Sequence, residues 1–203
     1  MIARAVEAIA GRPDPIIEWI DEYGRLELTG RVFANWIYKS AGLLRDVCPD
    51  ALVLNPTGPL HWRELACIFA ACGSDVPVLV GARTDAEAEV TSADSWVGMV
   101  AAGHDLSPFE HAEELWVFDP APLALSTKVE PGDTDYISAV RAYPDVAPLL
   151  DGPIEYTRFG TEVRAHSVDG PARVATTSVP ETDQQLSELC HALIHGQLTV
   201  DLS

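Results

Sequence analysis

The sequence predicts an α/β fold: a mostly parallel sheet with helices on both faces. Three observations carry this. Short apolar runs of strand length alternate with amphipathic stretches of helix length, which is the pattern of strands joined by helical crossovers. The stretches begin at residues that cap helices and stop at glycine or proline. The chain of 203 residues is 47% hydrophobic, enough for a packed core.

The start, "MIARAVEAIAGRPDP", has one early Arg and then a Glu where a secretory signal would need an apolar core, so it reads as an amphipathic helix. In "LELTGRVFANWIYKSAGLLRD", Thr29 is placed to cap a helix through its hydroxyl. Val32, Phe33, Trp36, Ile37, Leu44 and Val47 then recur near the 3.6-residue period, with Arg31, Lys39, Arg45 and Asp46 mostly opposite. Pro49 cannot continue that helix, and "ALVLNP" reads as a buried strand. "PLHWRELACIFAACG" repeats the helical pattern through Leu60, Leu65, Ile68, Phe69 and Cys72 and stops at Gly73.

"VPVLV", "SWVGMVAA" and "ELWVFD" are further strands, with a helical piece from Ser107 to Glu114 before the last. "PGDTDYISAVRAYPD" predicts a short helix from Asp133 or Thr134 to about Ala142, and Pro144, Pro148, Gly152 and Pro153 mark a loop-rich passage. "ARVATTSVP" is a strand, "TDQQLSELCHALIHG" a helix capped by Thr182 or Asp183, and "QLTVDL" a final strand. No repeat or long linker interrupts the chain, so residues 1–203 are expected to form one domain. Its core is expected to include Phe33, Trp36, Ile37, Leu52, Leu54, Ile68, Phe69, Val78 and Val117.

Charge narrows the function classes. With 31 acidic and 13 basic residues the formal charge is -18, which repels phosphate backbones and anionic lipid, so neither nucleic acid nor membrane is an expected partner. No apolar run is long enough to span a bilayer, and the cytoplasm is the expected location. Cys48, Cys67, Cys72 and Cys190 lack C-x-x-C or disulfide-framework spacing and read as buried free thiols.

Few residues suggest chemistry. His191 and His195 lie one helical turn apart with Glu188 a turn back, yet two histidines in a last helical turn also complement the helix dipole, so no metal is expected. His104 and Asp105 form the most catalytic-looking dyad, but adjacent side chains in a turn rarely orient each other. Gly152, Gly160 and Gly170 each stand alone and make a weak phosphate cradle, and Glu162 would repel any phosphate held at Gly160. No catalytic residue and no cofactor is therefore assigned.

The order "LELTGRVFANWIYKSAGLL", "ALVLNP", "LHWRELACIFAACGSDVPVL" resembles the start of the adenylate-forming, AMP-binding superfamily, the acyl-CoA synthetases and peptide-synthetase adenylation domains. "PLALS" ahead of "PGDTDYISAVRAYPD" and the segment "RVATTSVPETDQQLSELCHALIHGQLTV" extend the likeness, and the combination also resembles a small actinobacterial type of AMP-binding-like protein. The resemblance implies a truncated, degenerate counterpart of the first part of the superfamily's large domain. Where those enzymes carry a phosphate loop ending in Thr-Gly-x-Pro-Lys, this chain has "YTRFGTEVRAHS". Tyr156, Thr157, Gly160 and Thr161 are then its vestiges, and the second glycine, the proline and the lysine are replaced. The downstream adenine and ribose motifs and the lysine-bearing C-terminal domain would fall beyond Ser203. The expected function is binding of a partner protein or a small acyl or nucleotide ligand without catalysis. The alternatives are an enzyme with a rebuilt site, using His104 and Asp105 or Arg158 and Arg164, or residual ATP or AMP binding without turnover. A homodimer is expected, because such a frame leaves a sheet face and edge to be covered.

Overall fold

The computed structural model describes residues 1–81, 95–121, 123–166 and 173–202. Gly170, one of the three isolated glycines, lies outside the described residues. Five α-helices are present among them: α1 (Ile2–Ala10), α2 (Gly30–Val47), α3 (Trp62–Cys72), α4 (Tyr136–Val140) and α5 (Asp183–His195). The strands are β1 (Pro15–Asp21), β2 (Gly24–Thr29), β3 (Ala51–Leu54), β4 (Val78–Val80), β5 (Trp96–Ala101), β6 (Glu114–Phe118), β7 (Thr134–Asp135), β8 (Glu155–Arg158), β9 (Thr161–Arg164), β10 (Arg173–Thr176) and β11 (Gln197–Asp201).

The α/β architecture is as the sequence predicts, and its strands divide into two sheets. One has the order β10-β11-β1-β2 and the other β7-β6-β5-β3-β4-β8-β9. Within the larger sheet every neighbouring pair is parallel except β8 with β9. β1 runs parallel to β11 and antiparallel to β2. The hairpins β1-β2 and β8-β9 were not expected from the apolar pattern.

The caps explain where helices start. The Thr29 hydroxyl accepts the Val32 N–H at 3.3 Å, and Thr182 and Gln185 form a reciprocal capping box at α5. Thr29→Ala is expected to cost about 1 kcal/mol in urea unfolding, with the folded spectrum retained. The piece expected over Ser107–Glu114 is instead a 3-10 turn, Ser107–Phe109, because the Glu113 N–H goes to the Trp96 carbonyl and the chain at once joins β6. The helix expected from Asp133 or Thr134 starts later, since Thr134 and Asp135 first pair with Trp116 and Val117, and Asp135 becomes the cap through the Ser138 N–H.

Of the expected core, Phe33, Ile37, Leu52, Leu54, Ile68, Phe69, Val78 and Val117 are buried. Trp36 is half-buried and meets Trp62 edge-to-face at 5.0 Å. Val32, expected on the apolar face, is exposed beside Arg31, while Gly30, Phe33 and Ala34 of the same turn take the buried side. Cys67 and Cys190 are buried, but Cys72 is half-buried and Cys48 is exposed, a correction that follows from Cys48 ending α2 in a left-handed conformation. One apolar cluster joins both sheets to all five helices, while Val53, Val100, Phe109 and Val117 form a smaller one. No helix of the described residues is long and apolar enough to cross a membrane.

Candidate functional site

The order of the larger sheet decides where a ligand can enter. From β3 the chain passes through α3 to β4 on one side, and β5 then lies on the other side of β3. The connections therefore diverge at the carboxyl ends of β3 and β5, the kind of crevice where open α/β sheets bind ligands. A pocket of about 500 Å³ opens there. Pro56, Thr57 and Gly58 follow β3, Ala102 to His104 follow β5, Phe118 and Pro120 end β6, and Trp19 to Tyr23 reach over from β1. Thr57 Oγ1 and the His104 Nδ1 stand 3.4 Å apart across the divergence.

Two buried ionisable groups of α3 line this pocket. His61 caps the helix, its Nδ1 accepting the Arg63 N–H at 3.2 Å, while its Nε2 donates to the Pro120 carbonyl at 3.2 Å. Packed 4.8 Å from the Trp19 ring and 4.9 Å from Phe118, it has a pKa held well below 6.5 by burial and then by the Arg63 charge, so the imidazole is neutral. Glu64 completes the capping box by accepting the His61 N–H at 2.8 Å. Only 4% exposed, its carboxyl is pushed up to about 7 by burial, which the hydrogen bond only partly offsets.

The neighbouring Arg63 braces the turn beside the pocket. Its guanidinium donates to the carbonyls of Asp119, Ala121 and Ala124 at 3.1 to 3.5 Å, and lies 4.3 Å from the centroid of Trp62. That fixes the turn carrying Pro120, the partner of His61.

The residues singled out from the sequence lie elsewhere or play smaller parts. His104 is exposed on the pocket rim, while Asp105 accepts the Ser107 N–H and hydroxyl at 2.9 and 2.7 Å, ahead of the 3-10 turn. His191 and His195 have ring centroids 4.8 Å apart, and Glu188 accepts from Gln184 at 2.9 Å. Among the described residues no group of three or more His, Cys, Asp or Glu could hold a metal.

Tyr156, Thr157, Gly160 and Thr161 belong to the β8-β9 hairpin. Arg158 pairs with Thr161, and the two residues between them, Phe159 and Gly160, have φ of 48° and 71°. Both left-handed, they form the tight turn that suits a twisted hairpin. Tyr156 is buried and donates to the Pro180 carbonyl at 2.5 Å. Arg158 pairs with Glu181 at 3.1 Å, and Arg164 with Glu155 and Glu162 at 2.5 and 3.2 Å, so each arginine already has a carboxylate. Glu64 and His61 were missed as site residues; the signal available was a capping pair followed at once by a wholly apolar helix.

Solved structures share this fold. Coronafacic acid ligase from Pectobacterium brasiliense aligns over 100% of the chain at 10% identity and a TM-score of 0.67. Acetoacetyl-CoA synthetase from Streptomyces lividans aligns over 98% at 14% identity and 0.67, and the acyl-CoA synthetase of Brucella canis over 98% at 16% and 0.61. The fold is that of the adenylate-forming ligases. It corresponds to the first part of their N-terminal domain, and the chain spans 45%, 37% and 45% of those three structures. No family model and no curated protein matches the sequence.

Proposed function

We propose that this chain is a non-adenylating binding module on the frame of an adenylate-forming ligase, with a small ligand held in the pocket at the carboxyl ends of β3 and β5. The observation that carries this is the β8-β9 hairpin. Where the resemblance would place a phosphate loop, the turn has two residues and its flanking residues pair with each other. A phosphate site needs several N–H groups free to converge on one anion. The pocket itself carries Asp21, Glu22 and Glu64, which oppose a triphosphate. With ATP, magnesium and a broad panel of carboxylic acids, no pyrophosphate exchange above background is expected. Exchange that disappears on substituting Arg158 or Glu64 would overturn the proposal. So would a thermal-shift screen in which no ligand's effect is removed by blocking the pocket with Thr57→Trp.

One feature favours a second reading, an enzyme with a rebuilt site. A buried carboxyl near pH 7 suits proton exchange, and it sits in the pocket rather than at His104–Asp105 or the two arginines. The proposal includes a cytoplasmic location and a homodimer. Leu123 and Leu125 stand 79% and 71% exposed on one loop, apolar area that pairing would cover. Light scattering is expected to give twice the chain mass, and a monomer at micromolar concentration would sink the dimer.

A further inference from the structure

We infer that the pocket between Trp19, Glu64 and Phe118 takes an organic cation, an ammonium group on a small flat apolar body, with the Glu64 carboxylate as its counter-ion. This rests on reading the pocket as the ligand site and deepens it by naming the ligand's charge. Among the described residues three carboxylates line the pocket, and neither Lys nor Arg does. They are not equivalent. Asp21 is already engaged, one oxygen accepting the Trp19 Nε1–H at 2.7 Å and the other the Tyr23 N–H at 2.8 Å. Glu22 is exposed.

Glu64 differs from both. It is 4% exposed, one oxygen takes the His61 N–H, and the other has no hydrogen-bond partner among the described residues. A carboxylate whose second oxygen opens onto a pocket of about 500 Å³ matches an ammonium donor. His61 cannot hold an anion instead. It is neutral, with its Nε2–H committed to Pro120 and its Nδ1 to the Arg63 N–H. Trp19, Tyr23 and Phe118 supply flat faces that suit a cation or an aromatic body, and the prolines at 56, 59 and 120 add apolar wall without donors.

The ionisable groups around Glu64 are His61 and Arg63 on the start of α3, Cys67 one turn on, Asp21, Glu22 and Tyr23 from β1 and its turn, and His104 after β5. Arg63 is directed at the carbonyls of Asp119, Ala121 and Ala124. Among the described residues no lysine or arginine of the pocket lining therefore competes for the second oxygen of Glu64.

Isothermal titration calorimetry tests this with phenethylamine, its carboxylate counterpart hydrocinnamate, and AMP. Wild type, Glu64→Gln and Thr57→Trp are titrated at about pH 8, where the Glu64 carboxyl is mostly ionised. Phenethylamine is expected to bind wild type, with affinity reduced about tenfold or more in Glu64→Gln and abolished in Thr57→Trp. The glutamine keeps an acceptor for the His61 N–H, so the cap survives. A second readout needs no variant. At about pH 6 the amine must displace a proton from Glu64, so the binding enthalpy should depend on the buffer's ionisation enthalpy. Amine binding that ignores Glu64→Gln and the buffer overturns the inference. Hydrocinnamate or AMP binding that Thr57→Trp blocks, with the amine silent, overturns the charge assignment and leaves the binding-module reading standing. Silence from all three probes overturns the inference, and a screen without any pocket-dependent ligand removes the reading beneath it.

Discussion

Glu64→Gln is expected to stabilise the unliganded protein by up to about 3 kcal/mol at pH 8 and to change it little at pH 4. Burial pushes the carboxyl up to about 7 in the fold, against 4.5 for an ordinary glutamate. Between those values the folded chain holds a proton that the unfolded chain has released. Stability therefore falls as pH rises from 4.5 to 7, and the whole cost remains above 7. Glutamine has the neutral acid's shape and never incurs that cost. His61 works the other way, since its depressed pKa means that stability is lost as pH falls below 6.5, but it is present in both proteins and cancels in their difference. Urea unfolding of the pair at the two pH values measures it, and a gain that is the same at both would refute the assignment to ionisation. The variant expected to be more stable is also the one expected to lose the amine, which is the trade expected of a binding site that keeps a charge buried.

The parts of the fold legible in the sequence are those fixed by local chemistry. Thr29, Gly73 and Thr182 mark helix ends because capping depends on residues within one turn, and α2, α3 and α5 fall where they predict. The hairpins were overlooked although signals were present. "GRLELT" alternates with Leu26 and Leu28 inward after Gly24 at φ of 122°, and "YTRFGTEV" places a two-residue turn between short β-forming runs. The site was less legible for a physical reason. Glu64 reads locally as a capping residue, and only Trp19 from one sheet and Phe118 from the other, meeting over His61, turn it into a buried carboxyl in a pocket. His104 drew notice for its neighbour Asp105, yet its cross-pocket partner is Thr57, 47 residues away.

Arg63→Ala is expected to cost about 3 to 5 kcal/mol, and Arg63→Lys to recover less than half of it. The residue is 1% exposed, and burial lowers its pKa to about 10, so it remains charged at neutral pH. Its charge is dispersed over the carbonyls of Asp119, Ala121 and Ala124 and the faces of Trp62 and Trp36, at 4.3 and 5.5 Å. Alanine leaves those carbonyls without their donor and opens a void between two indoles. Lysine keeps the charge, but a single ammonium cannot span carbonyls that the planar guanidinium reaches from separate nitrogens. The damage should extend to the pocket, because the same turn presents the Pro120 carbonyl to His61 and is braced by the Ala121 N–H on Asp119 and the Asp119 N–H on Thr127. Amide exchange at residues 119 and 121 should accelerate in Arg63→Ala by more than at the centre of α2, and pocket ligands should weaken even where the variant is fully folded. A variant within about 1 kcal/mol of wild type, with those two amides still protected, would mean that the turn holds itself and that the guanidinium merely fills space.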